Sequence, residues 1–178
     1  AQGIYQQLPA GRAGRFKKQG QRTLGGNKMI TAATCLAMAL YYEARGEGLK
    51  GMQAVATVIL NRVEHPDFPK SICEVIKEDR GPKDYDCQFS FYCDGKAENP
   101  RNLAAWSTAR DVARQALDGE ILNNGATYFH AVNVKPFWAD NFKPIGKIGN
   151  HVFYKDQSAC KLPLCSKAPK TRPKSFGL

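Results

Sequence analysis

An α+β domain, mostly helical with a small β-hairpin or sheet lining a cleft, is the fold class this sequence predicts, and three observations carry it. The apolar stretch from Met29 to Tyr42 is shorter than the roughly 20 residues a membrane span needs, but it suits a buried helix. Apolar residues recur at the i, i+3, i+4, i+7 spacing over 49–63 and again over 102–117. Two short β-prone runs, "ATYFHAV" and "HVFYK", follow only after these helices. With 178 residues and 43% hydrophobic content the chain buries one core rather than two. The ordered domain is placed at 29–156, between a basic N-terminal extension, 1–28, and a basic C-terminal tail, 157–178.

The first helix, 29–44, is apolar almost all round, with Thr31 in its early turn and Gly46 as a stop, and so is read as the central helix. In the second, Met52, Val55, Ala56, Ile59, Leu60 and Val63 form one apolar face that packs on the first. After the "HPDFP" break, Ser71 and Glu74 of "SICEVIKE" read as a capping box opening a short third helix. The turn-rich "DRGPKDYDCQFSFYCDGK" reads as a loop or small hairpin tied by Cys87 and Cys93. The fourth helix turns Leu103, Trp106, Ala109, Val112, Ala113 and Ala116 inward and stops at Gly119. The two strand-like runs then flank "FWADNFKPIGKIGN", and no internal repeat is visible.

A net charge of +10 and a pI near 9.4 point to a polyanionic partner: nucleic acid, anionic lipid or an envelope polymer. The basic residues cluster at the two ends, either as solvated tails or as a means of concentrating the domain on an anionic surface. A DNA reader would carry a helix with Arg, Lys, Asn or Gln on one face; these central helices are apolar or mixed, so no specific nucleic acid is expected. Six cysteines, with Cys87 near Cys93, Cys160 near Cys165, and Cys35 and Cys73 left as a third candidate pair, suit an oxidising compartment. The first 28 residues lack the apolar core of an intact secretory signal. Cysteine spacings do not match zinc ligation, and His65, His130 and His151 come without an H-E-x-x-H pattern, so neither metal nor cofactor is expected.

The stretch "LYYEARGEG" raises the functional question, because it ends an apolar helix on an acid. Glu43 shares a helical stripe with Leu36, Ala39 and Leu40, at the point where the stripe runs out into a Gly-rich loop. A carboxyl half-buried at the lip of a cleft has a raised pKa, and one still protonated near neutral pH can protonate a leaving-group oxygen. A salt bridge to Arg45 or Arg62 is the structural alternative.

Around that acid, "ALYYEARGEGLKGMQAVATVILNRVEHPDFPKSICEVI" closely resembles the opening of the SleB-type cell-wall hydrolases, the group of spore cortex-lytic enzymes and related phage and bacterial envelope hydrolases. The resemblance continues in order through "CQFSFYCDG", "GATYFHA", "PFWAD" and "IGNHVFYK", over residues of about 33 to 155. It implies a lysozyme-like catalytic domain similar to goose-type lysozyme and the soluble lytic transglycosylases. The implied activity is cleavage of the MurNAc-β-1,4-GlcNAc bond of peptidoglycan, with Glu43 as the catalytic residue. Action at the cell envelope, periplasmic or extracellular, by an exported or phage-delivered protein is expected, as is a monomer. The cysteines and both ends lie outside the resemblance.

A hydrolase with a protein nucleophile or an inverting base needs a second carboxylate across the scissile bond. The sequence offers no convincing one: Glu47 lies on the same side as Glu43, and its expected role is structural, holding the substrate-binding loop, in which it is counted, through Arg45, Arg62 or backbone amides. One acid suffices for a lytic transglycosylase, with a muramidase-type hydrolase or a non-catalytic wall or nucleic-acid binder as the alternatives. Gln88 and Ser90, alternating with Phe89 and Phe91, suit an extended segment with polar groups on one face and rings on the other. Tyr128 and His130 alternate likewise and Trp138 adds a ring; together with Phe89 these are the expected sugar contacts, with core packing the alternative for each ring.

Overall fold

The computed structural model describes residues 31–79 and 87–156. The two basic ends and the expected Cys160–Cys165 pair lie outside the described residues.

Helix α1, Ala32–Ala44, starts where Thr31, in extended conformation, accepts a hydrogen bond from the Thr34 amide, the usual N-cap arrangement. Cys35, Leu36, Ala37, Ala39, Leu40, Tyr41 and Ala44 are all buried, so α1 is enclosed on most sides, as its all-round apolar sequence predicts. Around it pack α2 (Gly48–Glu64), α3 (Ile72–Lys77) and α4 (Leu103–Asp118). Ser71 caps α3 through the Glu74 amide, but its hydroxyl donates to the Glu74 carboxylate (2.7 Å) rather than completing a reciprocal capping box. Asn102 caps α4, and Gly119, at φ 78°, ends it in the left-handed conformation that glycine adopts without steric cost. Leu103 departs from its expected inward position and is 75% exposed: as the first residue of α4 it lies before the helix reaches the core.

Strands β1 (Tyr128–Ala131), β2 (Lys143–Ile148) and β3 (His151–Lys155) form an antiparallel sheet of order β1-β3-β2. The strand β2 was not visible in the sequence, where its span reads as a connection. One face of the sheet, through Phe129 and Phe153, joins the helical core. The other carries a second cluster of Phe68, Tyr128, Trp138, Ala139, Phe142 and Tyr154.

Arg62 ties the helices to the sheet. It is fully buried, its Nε donates to the Thr127 carbonyl (2.8 Å), and its guanidinium lies over the rings of Phe68, Phe89 and Tyr128 at 5.1, 5.6 and 5.5 Å. Asn61 adds a 2.8 Å bond to the Ala126 carbonyl. Tyr41 does the same for α4, its hydroxyl accepting from the Arg101 and Asn102 amides. The described cysteines form two disulfides: Cys35–Cys73 joins α1 to α3, and Cys87–Cys93 closes the aromatic loop. No helix among the described residues is long and apolar enough to cross a membrane.

Candidate active site

Glu43 is the penultimate residue of α1, and the helix end delivers it to a cavity of about 410 Å³. The walls are Tyr42, Glu43 and Glu47 from the α1–α2 junction, Ala131, Val132 and Asn133 from the end of β1, and Asn150 and His151 from the β2–β3 turn. Two segments roughly a hundred residues apart in the chain therefore face each other across it.

The Glu43 side chain keeps a partial opening to solvent, yet the protein around its carboxyl desolvates it enough to push its pKa up to about 8; the Arg62 charge opposes this weakly. Among the described residues the carboxyl has no hydrogen bond or ion pair. Neither candidate salt bridge forms: Arg62 is engaged by β1 and its aromatic neighbours, and Arg45 lies over the Tyr41 ring at 4.9 Å. An unpaired acid that stays protonated at neutral pH, at the edge of a cavity, is a proton donor to whatever oxygen occupies that space.

Glu47 shares the cavity but not the environment. Its Oε2 accepts from the Asn150 amide (2.6 Å) and its Oε1 from Asn150 Nδ2 (3.3 Å). The backbone-amide anchor expected for it is present, and the amide comes from the far wall.

The other expected sugar contacts lie elsewhere. The segment is extended only as far as Phe89: Cys87 forms an antiparallel bridge with Asp79 and Phe89 is in extended conformation, but Ser90–Tyr92 is a 3₁₀ turn, and Gln88 and Phe89 are both buried. The Cys87–Cys93 closure draws seven residues into a tight loop, which removes the alternation of faces. Ser90 is partly buried and is not on the cavity wall. Tyr128 and His130 do share a sheet face, but that face is covered by the second aromatic cluster. Tyr128 stacks on Phe142 at 4.6 Å, and His130 bonds the Tyr154 hydroxyl and the Ala131 carbonyl, both at 2.8 Å. Trp138 is fully buried in the same cluster. Of the eight expected site residues, the structure brings only Glu43 and Glu47 together. Sequence reading missed Tyr42, Asn133, Asn150 and His151; the Gly-Asn turn before "HVFYK" was the available signal, since turns carry site residues.

The three histidines do not converge. Among the described residues one group of metal-type ligand atoms comes together, His65, Asp67 and Asp156, with His65 lying 3.9 and 4.0 Å from the two aspartates. It sits at the far end of α2 from Glu47, a helix of 17 residues and so about 25 Å away.

Comparison with known proteins gives a consistent result. A cell wall hydrolase family model matches residues 46–154, beginning just after Glu43. The spore cortex-lytic enzyme of Halalkalibacterium halodurans is 36% identical over 119 residues, which is 66% of this chain and 33% of that enzyme. That of Bacillus subtilis is 34% identical over 119 residues, 66% of this chain and 35% of the enzyme. The chain thus spans about a third of the length of these relatives. Among solved structures, the catalytic domain of the germination-specific lytic transglycosylase SleB from Bacillus anthracis superposes with a TM-score of 0.58 at 31% identity, covering 74% of this chain and 100% of that one. The catalytic domain of the Bacillus cereus SleB protein gives 0.57 at 31% identity, covering 77% and 100%. The fold is lysozyme-like, as the sequence resemblance implies.

Proposed function

The chain belongs to the cell wall hydrolase family, and on that premise we propose that it cleaves the MurNAc-β-1,4-GlcNAc bond of peptidoglycan by lytic transglycosylation, with Glu43 as its single general acid and base. Residues 29–156 are the catalytic unit. The observation that carries this reading is the unpaired Glu43 carboxyl, pushed up to about 8, on the wall of a cavity whose only other acid is tied down by Asn150.

In the first step the protonated Glu43 gives its proton to the glycosidic oxygen as the C1–O bond breaks, and the GlcNAc-side sugar leaves with a free 4-hydroxyl. In the second, the Glu43 carboxylate takes the proton of the MurNAc 6-hydroxyl while O6 bonds to C1. The product is a 1,6-anhydro sugar, Glu43 is protonated again, and no water is consumed. Glu47 cannot replace it as a nucleophile on the opposite sugar face, because it projects from the same junction as Glu43 and its oxygens already accept from Asn150. Muramidase-type hydrolysis would use the same acid with water in place of O6.

Mass spectrometry of digested peptidoglycan separates the two reactions, since an anhydro end is one water lighter than a reducing end. Anhydromuramoyl ends are expected; reducing ends alone would assign hydrolysis. A non-catalytic binder would pellet with the wall and leave its turbidity unchanged.

The site of action is outside the cytoplasm, where peptidoglycan lies, and the paired cysteines suit that setting. The +10 charge then serves to hold the enzyme on an anionic wall. Binding to intact sacculi should weaken steeply as ionic strength rises past about 0.15 M, where the Debye length is about 8 Å, while cleavage of short soluble fragments changes far less. Deleting residues 1–28 and 167–178 should mimic high salt. Equal losses on sacculi and fragments would reject the electrostatic role.

A further inference from the structure

The β2–β3 turn is held to the acid-bearing side of the cavity by Glu47, whose carboxylate receives both the backbone amide and the side-chain amide of Asn150 across 103 residues of sequence. Two glycines make room for it. Gly149 sits at φ 58°, and a Cβ there would run into Glu47 Oε2; a Cβ on Gly51 would run into the Glu47 side chain. Gly51 lies inside α2, where glycine is disfavoured relative to alanine, so the close approach of Glu47 accounts for its presence there.

The residue after this latch is His151. It is 6% exposed, and its ring meets Phe129 edge-on at 5.2 Å and Phe153 at 6.3 Å, which fixes the orientation of the imidazole. Among the described residues neither ring nitrogen has a hydrogen-bond partner, and Nδ1 is buried without one. Yet His151 lines the same cavity as Glu43. Burial lowers its pKa, Glu47 opposes that and His130 reinforces it, so the ring is kept towards its neutral form, with one donor and one acceptor. Nδ1 is closed off from the cavity, so Nε2, which has no partner among the described residues and is not fully buried, is the nitrogen left to meet a ligand.

Resting on the function proposed above, we propose that His151 is a substrate-binding residue that hydrogen-bonds an uncharged polar substituent of the glycan, a hydroxyl or acetamido group, and that Glu47 is the residue that positions it. A neutral ring beside the Glu47 carboxylate favours such a group over the carboxylates of the lactyl unit or stem peptide. The latch fixes the distance between the two walls of the cavity, so that one substrate ring meets Glu43 and His151 together.

The test is binding of a GlcNAc-MurNAc tetrasaccharide to the Glu43→Gln protein, read by calorimetry, so that no turnover is needed. Adding His151→Ala should weaken binding about tenfold, and His151→Gln, which restores a donor and an acceptor, should recover part of it. Glu47→Gln and Gly149→Ala should each weaken binding as well, and neither should add to the loss once His151 is alanine. Asn150→Ala, which removes only the side-chain arm of the latch, gives a smaller loss and stands in for any latch variant that fails to fold. Unchanged binding in His151→Ala, or latch variants that lower the melting temperature while binding stays intact or falls additively with His151→Ala, would overturn the proposal. If the Glu43→Gln parent binds no glycan and the wild type cleaves none, the underlying function falls and this inference with it.

Discussion

Glu43→Gln is expected to reduce peptidoglycan cleavage by roughly 10²- to 10⁴-fold, the usual contribution of a positioned general acid, with the fold retained. Gln matches the shape of the protonated carboxyl but can neither release a proton to the glycosidic oxygen nor take one from the 6-hydroxyl. The wild-type rate should be sustained at neutral pH and fall as pH rises through about 8, where Glu43 loses its proton. The same substitution should change stability in a pH-dependent way. A carboxyl whose pKa is raised on folding favours the folded state fully below its unfolded value of 4.5, and that contribution is lost as pH rises to about 8. The amide does not titrate, so the variant should gain on the wild type between these limits and hold a constant advantage above them. Thermal melts of both proteins from pH 4 to pH 9 would show this; parallel curves, or a variant with most of the wild-type rate, would remove Glu43 from its role.

The helices were legible because their information is local. Leu36, Leu40, Val55, Ile59, Val112 and Ala116 repeat at the helical period, and Thr31, Ser71, Asn102 and Gly119 mark the ends. Strand β2 was not, because "KPIGKI" has a proline, a glycine and two lysines and is mostly exposed; as an edge strand it takes its order from pairing with β3. The position of Glu43 was legible because helix periodicity and a stop signal together put an acid at the end of an apolar stripe, while a catalytic role for it is what the family resemblance implies. The opposite wall could not. Asn150 and His151 reach the cavity only through the Glu47 latch and the hairpin turn, contacts that no local pattern encodes. Gln88, Tyr128 and Trp138 are buried away from the cavity wall for the converse reason. Ring-rich, alternating runs are also what a buried sheet face and a disulfide-closed loop require, and here those uses won.

Removing the Cys35–Cys73 disulfide should cost far more stability than removing Cys87–Cys93. The first bond closes a loop across 38 positions that contains all of α2 and the Glu43–Glu47 junction, and it fastens α3 to the central helix with a Cα separation of 5.4 Å. In the chain-entropy account such a closure is worth about 4 kcal/mol, a large share of the roughly 5–15 kcal/mol that holds a domain folded. Cys87–Cys93 spans only 6 positions and by the same reckoning contributes about 2 kcal/mol, confined to the aromatic loop. Denaturant unfolding of the Cys35→Ala/Cys73→Ala and Cys87→Ala/Cys93→Ala proteins should therefore show the larger fall in midpoint for the first pair. Cys35 is 6% exposed, so part of that fall will reflect a packing defect rather than the lost link. Reduction of the Cys87→Ala/Cys93→Ala protein, which keeps the Cys35 and Cys73 sulfur atoms in place, separates the two contributions and should give most of the same loss. If reduction left the midpoint unchanged, the link between α1 and α3 would carry no stability, and the domain would hold its cavity together equally well in a reducing compartment.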